Sequence, residues 1–193
     1  MKIGVLALQG AFAEHIAILE KLKVEVVPVR LPGQLEGLDG LIIPGGESTT
    51  ITKLMVHYKL RDKIIALARN DFPIFGTCAG MIILAAELAN SGGVKPTGVM
   101  DIKVNRNAFG RQVDSFETQI SIPAIGEKSI MGVFIRAPLI ESVGPKAEVL
   151  GKLKDGTIVA ARQGKLLVSS FHPELTDDTR FHQYFIDIAA GKI

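Results

Sequence analysis

At 193 residues the chain is the size of one domain, or of one domain with a small excursion, and long enough to bury a full core. Its 47% hydrophobic content fits a soluble globular enzyme, and a formal charge of +2 offers no strong field to nucleic acid or to an anionic membrane surface. A single cysteine rules out an internal disulfide, no apolar run approaches a membrane span, and clustered Cys/His metal spacing is absent, so the cytoplasm is the expected compartment.

The first half alternates strand and helix. Residues 3–8 read as a strand. Their short apolar stretch ends at Gln9, and Glu14-His15 soon follow, which fits a first parallel strand better than a signal peptide. Phe12, Ile16, Leu19 and Leu22 form a helical stripe, with Glu14, Glu20, Lys21 and Lys23 outside it. Residues 24–29 and 41–43 are further strands, residues 49–60 and 61–69 are helical, and Ile74-Phe75 is a fourth strand. Residues 81–89 are apolar helix formers and predict a buried helix. This order implies a parallel sheet with helices on both faces.

The second half changes character. Residues 102–104, 116–122, 131–135, 148–151, 158–161 and 166–170 are short strand candidates separated by Gly and Pro turns. Lys154-Asp155-Gly156-Thr157 and Arg162-Gln163-Gly164-Lys165 have the chemistry of hairpin turns, so an antiparallel extension is expected. A last helix spans about residues 178–190, with Phe181, Phe185, Ile186 and Ile188 as its apolar residues.

The only cysteine lies in Gly76-Thr77-Cys78-Ala79-Gly80, between a short buried strand and an apolar helix. A strand that turns sharply into a helix with a nucleophile at the apex is a nucleophile elbow. Its glycines are needed because a side chain at either neighbour would collide across the turn. The helix N-terminus directs free N–H groups at the apex, a setting suited to a thiolate and to an oxyanion. A cysteine nucleophile needs a base, and the base needs an orienting acceptor. His172 and Glu174 supply both types at i and i+2, stiffened by Pro173. In extended chain they would project to one side, at the C-terminal end of a strand, where open α/β sheets carry their sites.

Pro44-Gly45-Gly46-Glu47-Ser48-Thr49 ends the third strand and opens a helix. Its N–H groups would lie at the same sheet edge and complete an oxyanion hole with that of Ala79, while Ser48 or Thr49 caps the helix. The G-K-[ST] ending of a phosphate-binding loop is missing. Arg106, in a polar loop over residues 105–112, is either a clamp for a substrate carboxylate or a surface arginine, and Arg136 poses the same choice. His15, His57 and His182 lie in helical runs without an acid and nucleophile beside them, and Met55 and Met81 read as core.

These three segments resemble the class I (triad) glutamine amidotransferases. Leu8-Gln9-Gly10, the Glu-Ser-Thr-Thr run ending at Thr50, the stretch from Asn105-Arg106-Asn107 to Phe116-Glu117, and Phe134-Ile135-Arg136-Ala137-Pro138 are similar to the family of glutaminase subunits of pyridoxal 5′-phosphate synthase. The resemblance spans nearly the whole chain. It implies a flavodoxin-like three-layer α/β sandwich, mostly parallel with a small antiparallel extension, as one domain over residues 1–193. It also implies hydrolysis of L-glutamine to L-glutamate and ammonia. Cys78 would be the nucleophile, His172 the base and Glu174 its orienting acid, with the N–H groups of Gly46 and Ala79 as oxyanion hole. Gly46, Glu47, Ser48, Arg106, Ile135 and Arg136 would bind glutamine, Arg106 facing the α-carboxylate and Glu47 the α-ammonium. No cofactor is implied. The implied partner is a synthase subunit of the PdxS/SNZ type in a large hetero-oligomer, which receives the ammonia through a tunnel. Another amidotransferase of this fold, a γ-glutamyl peptidase with the same triad, and a flavodoxin-like redox-sensing module are the competing readings.

Overall fold

Apolar residues alternate faces along the central strands, and that alternation builds the molecule. The computed structural model describes residues 1–106 and 115–193. Strands β1 (Lys2–Leu6), β2 (Glu25–Val29), β3 (Gly40–Ile43) and β4 (Ile74–Thr77) alternate with helices α1 (Phe12–Lys21), α2 (Ser48–His57) and α3 (Arg61–Arg69). Helix α4 (Ala79–Leu84) follows β4 directly. Then come β5 (Ala85–Leu88), β6 (Met100–Asn105), β7 (Ser115–Ile120), β8 (Ile130–Ile135), β9 (Leu139–Val143), β10 (Glu148–Lys152), β11 (Ile158–Gln163), β12 (Leu166–Ser169) and helix α5 (Arg180–Ala189).

The main sheet has the order β2-β1-β3-β4-β12-β11-β9-β6-β5, with β10 also paired to β11. From β2 to β12 every pair is parallel; β12, β11, β9 and β6 pair antiparallel in succession. The expected antiparallel extension is therefore present, and both predicted hairpin turns connect antiparallel neighbours. Strands β7 and β8 form a separate antiparallel ribbon.

Ile43, Ile74 and Val168 turn to one face and pack with Ile51, Met55 and Ile64 of α2 and α3. Their neighbours Ile42, Phe75 and Leu167 turn to the other, against Leu19 of α1 and Phe181, Phe185 and Ile188 of α5. Strand β3 is buried along its whole length, as a central parallel strand must be. The result is a three-layer α/β sandwich with a mostly parallel sheet. No helix among the described residues is long and apolar enough to cross a membrane.

Two elements differ from expectation. The helix predicted over residues 81–89 begins at Ala79 and stops at Leu84, and Ala85–Leu88 become strand β5. Helix propensity yields here to pairing: β5 completes the edge of β6, and the amide of Gly98 donates to the Ala85 carbonyl at 3.0 Å. Thr97 donates twice to the Ile83 carbonyl, from its amide and its hydroxyl, each at 2.8 Å, so this acceptor in the last turn of the helix is satisfied. Strand β9 is not among the expected strands; it follows Pro138 and bridges β6 to β11.

Candidate active site

Parallel strands place their C-terminal ends on one edge, so the segments after β1, β3, β4 and β12 meet there. Cys78 follows β4 with φ 49° and ψ −99°, a strained conformation for a side-chain-bearing residue. The elbow's glycines are required by contact. A Cβ on Gly76 would lie 2.7 Å from the Gly80 carbonyl carbon, across the turn. A Cβ on Gly80 would lie 2.1 Å from the Ile43 carbonyl oxygen, so this glycine lets the helix sit against β3.

His172 and Glu174 follow β12, and both are buried. His172 Nδ1 and Glu174 Oε1 are 2.6 Å apart. The pair does not meet as neighbours on an extended strand, as the i and i+2 spacing suggests. Pro173–Leu175 form a 3₁₀ turn, and the fixed φ of Pro173 at its start folds the carboxylate back onto the ring. With Nδ1 engaged, Nε2 is the nitrogen left for the thiol. Burial lowers the His172 pKa, but hydrogen bonds to Cys78 and Glu174 and the charges of both outweigh it, and the imidazole is held well above its ordinary value. Burial favours the neutral form of Glu174, but the hydrogen bond and charge of His172 and the adjacent His15 ring outweigh it and hold the carboxyl below its ordinary value.

The β3–α2 turn closes over this pair. A Cβ on Gly45 would lie 2.4 Å from His172 Cε1 and 3.3 Å from Cys78 Cβ, so the backbone of Gly45 rests on both. The Gly45 carbonyl accepts from the Ala11 amide at 3.0 Å. In a trans peptide that turns the Gly46 N–H away from the β1–α1 loop. Gly10 permits this approach, because a Cβ there would lie 1.9 Å from the Gly45 oxygen. The Gln9 side-chain oxygen accepts from the Glu47 amide at 2.8 Å. Leu8-Gln9-Gly10 is thus part of the scaffold of the site, a role its sequence did not reveal.

A cavity of about 430 Å³ opens at this edge, and Gly46, Glu47, Ser48, Cys78, Arg106, Ile135, Arg136 and His172 all line it. Of the predicted site residues, Ala79 lies beneath Cys78 in the first turn of α4, and Glu174 lies behind His172. Arg106 reaches across the cavity, donating to the Ser91 carbonyl at 2.5 Å and to Ser48 Oγ at 3.0 Å, with Glu47 at 3.9 Å. Arg136 sits at φ 43°, a left-handed conformation beside half-exposed Ile135. The expected cap of α2 is corrected. Glu47, not Ser48 or Thr49, caps the helix, accepting from the Thr49 and Thr50 amides at 3.2 and 2.6 Å and from both hydroxyls. A carboxylate satisfies the free amides and meets the positive helix end, and its pKa is brought down to about 2, chiefly by the Thr49 hydroxyl. The part of the family-like stretch at residues 107–114 lies outside the described residues.

The match to known proteins agrees with this geometry. The profile of the SNO glutamine amidotransferase family covers residues 5–190. The chain belongs to that family. A pyridoxal 5′-phosphate synthase subunit PdxT from Dehalococcoides mccartyi is 57% identical over 190 residues, spanning 98% of this chain and 97% of the relative. The protein of the same name from Herpetosiphon aurantiacus is 56% identical over 97% of this chain and 100% of its own length. A crystal structure of a glutamine amidotransferase superposes with TM-score 0.92 at 48% identity, covering 97% of this chain and 98% of that one. The structure of PurLQS from Thermotoga maritima, 15% identical with TM-score 0.69 over 96% of this chain and 97% of that one, shares the fold. In this SNO family chain the fold brings Gly46, Cys78 and His172 to one sheet edge.

Proposed function

We propose that this chain is the glutaminase subunit of a pyridoxal 5′-phosphate synthase. It hydrolyses L-glutamine to L-glutamate and ammonia in the cytoplasm, and a separate synthase subunit of the PdxS/SNZ type takes up the ammonia. The observation that carries this is the placement of His172 between Cys78 and Glu174, on the floor of a cavity lined by Arg106 and Glu47.

The chemistry follows from that placement. The Cys78 sulfur attacks the side-chain carbonyl carbon of glutamine, and a C–S bond forms as the carbonyl electrons move to oxygen. The amides of Gly46 and Ala79 hold that oxyanion. His172, kept in one tautomer by Glu174, takes the thiol proton and delivers it to the departing nitrogen. The C–N bond breaks, ammonia leaves, and a glutamyl thioester remains. Water, deprotonated by His172, adds to the thioester; the C–S bond breaks, His172 returns the proton to the departing Cys78 sulfur, and glutamate is released. Arg106 pairs with the α-carboxylate. The outward side of the Glu47 carboxylate meets the α-ammonium while its inner side caps α2. Ser48, Ile135 and Arg136 complete the substrate wall. Two glycines at 45 and 46 leave the oxyanion peptide free of side-chain barriers to reorientation when the synthase subunit docks, at the cost of the bond from the Ala11 amide to the Gly45 carbonyl.

Glutamate release from glutamine, with and without the synthase subunit, for the wild type and Cys78→Ala, tests the reading. Activity should require both Cys78 and the partner. Full activity of the isolated chain would remove the docking switch. No activity in a complex shown to have formed would overturn the amidotransferase reading.

A further inference from the structure

Two histidines without a role in the mechanism above form a buried chain behind it. His15 on α1 and His182 on α5 are both completely buried. His15 Nδ1 lies 2.9 Å from His182 Nε2. The other nitrogen, His15 Nε2, lies 3.1 Å from Thr77 Oγ1 and 3.5 Å from Glu174 Oε2. Among the described residues, Glu174 Oε2 and His182 Nδ1 have no hydrogen-bond partner. Thr77 Oγ1 also accepts from the Gly45 amide at 3.0 Å.

Electrostatics selects one arrangement of protons. A carboxylate only accepts, so the nitrogen facing it is favoured as N–H. His15 then carries its proton on Nε2 and accepts at Nδ1, and His182 must donate from Nε2. That leaves His182 Nδ1 as a bare lone pair, which matches the atom found without a partner. The reverse arrangement would aim a lone pair at the Glu174 carboxylate. It would also bury an unpaired N–H on His182, which costs more than an unpaired acceptor. Burial of both rings keeps them neutral, as this arrangement requires.

We propose that His15, oriented by His182, is a positioning residue of the glutaminase site. Its Nε2–H donates to Thr77 Oγ1, which fixes the turn that carries Gly45 and Gly46, and turns its positive end at 3.5 Å toward the Glu174 oxygen that His172 does not use. One imidazole thus sets the triad acid and the oxyanion turn relative to each other. The inference rests on the triad assigned above.

Two measurements test it. Imidazole ¹H–¹⁵N correlation spectra of the wild-type chain should show both rings neutral with the proton on Nε2; a proton on Nδ1 of either ring would overturn the proposal. In complex with the synthase subunit, His15→Leu should lower kcat about tenfold, the worth of one hydrogen bond to a charged or polar acceptor, with KM for glutamine changed by less than about threefold. It should slow alkylation of Cys78 in parallel. His15→Gln, whose amide N–H can reach the same acceptors, should recover most of kcat. A folded His15→Leu with wild-type kcat, or equal loss in both variants, would sink it. If His15→Leu does not fold, the spectra and His15→Gln still decide. Cys78→Ala separates the two levels: wild-type hydrolysis that survives it refutes the triad, whereas Cys78-dependent hydrolysis insensitive to His15→Leu refutes only the positioning role.

Discussion

Replacing Gly45 by alanine adds one methyl group at the point where backbone, base and nucleophile converge. Its φ is not in the left-handed region, so alanine meets no backbone penalty there and the effect is purely one of contact. The added Cβ would lie 2.4 Å from His172 Cε1, and ordinary van der Waals contact begins at 3.4 Å, so one side must retreat by about 1 Å. The turn is held by the Ala11 amide on one side and Thr77 on the other, both at 3.0 Å. The ring is held by Glu174 at 2.6 Å and is the more easily tilted of the two. A 1 Å displacement of a reacting group costs roughly a hundredfold in rate, equal to about 3 kcal/mol of barrier. Gly45→Ala should therefore lower kcat for glutamine hydrolysis about a hundredfold in the complex, with KM changed only a few-fold. Stability should fall by about 1–3 kcal/mol, the usual cost of overpacking. Steady-state kinetics and urea unfolding read the two effects. A folded Gly45→Ala variant with wild-type kcat would refute the placement of His172 beneath this turn.

Glu47→Ala removes the cap of α2 and should destabilise the chain by about 1 kcal/mol in urea unfolding. The cap's contribution is complete above the ordinary glutamate pKa of 4.5 and is lost as pH falls toward about 2, so the variant and wild type should converge in stability at strongly acid pH. His182 works in the same direction by a different route. Burial holds its folded pKa at about 3 against 6.5 in the unfolded chain, so between those values the unfolded chain binds a proton that the folded one refuses. Stability should fall by about 3 kcal/mol on this account between pH 7 and pH 4.5, and His182→Phe should show a shallower acid dependence in unfolding curves. Arg106→Met should raise KM for glutamine about tenfold or more with a smaller change in kcat, because its charge is assigned to binding the α-carboxylate. A selective loss of kcat would move Arg106 out of that role.

What the sequence made legible was local. Gly76, Cys78 and Gly80 declare an elbow because the constraint acts within five residues. His172-Pro173-Glu174 declares a base and its acid because proline fixes their relation, although a 3₁₀ turn rather than an extended strand brings them together. The alternating apolar strands of the first half likewise declare a parallel sheet. What escaped depends on distant partners. Ala85–Leu88 have the composition of a helix and become strand only because β6 lies alongside. His15 looks like one more residue of an amphipathic helix; its partners stand at 77, 174 and 182. Glu47 is masked as a cap by the serine and threonines that follow it, and the threonine hydroxyls prove to be its donors.

The amide of Cys78 donates to the Ser169 carbonyl at 2.8 Å, so the ladder joining β4 to β12 runs one residue past β4, onto the nucleophile itself. Nucleophile and base therefore belong to a single cooperative unit in the middle of the sheet, with no loop to absorb relative motion at the Cys78 end. Fraying of the outer strands leaves their spacing intact, and only an opening that breaks the central ladder separates them. In a denaturant series, thiol protection at Cys78 should thus decay together with the far-ultraviolet signal of the whole chain, making the lone cysteine a built-in reporter of global unfolding.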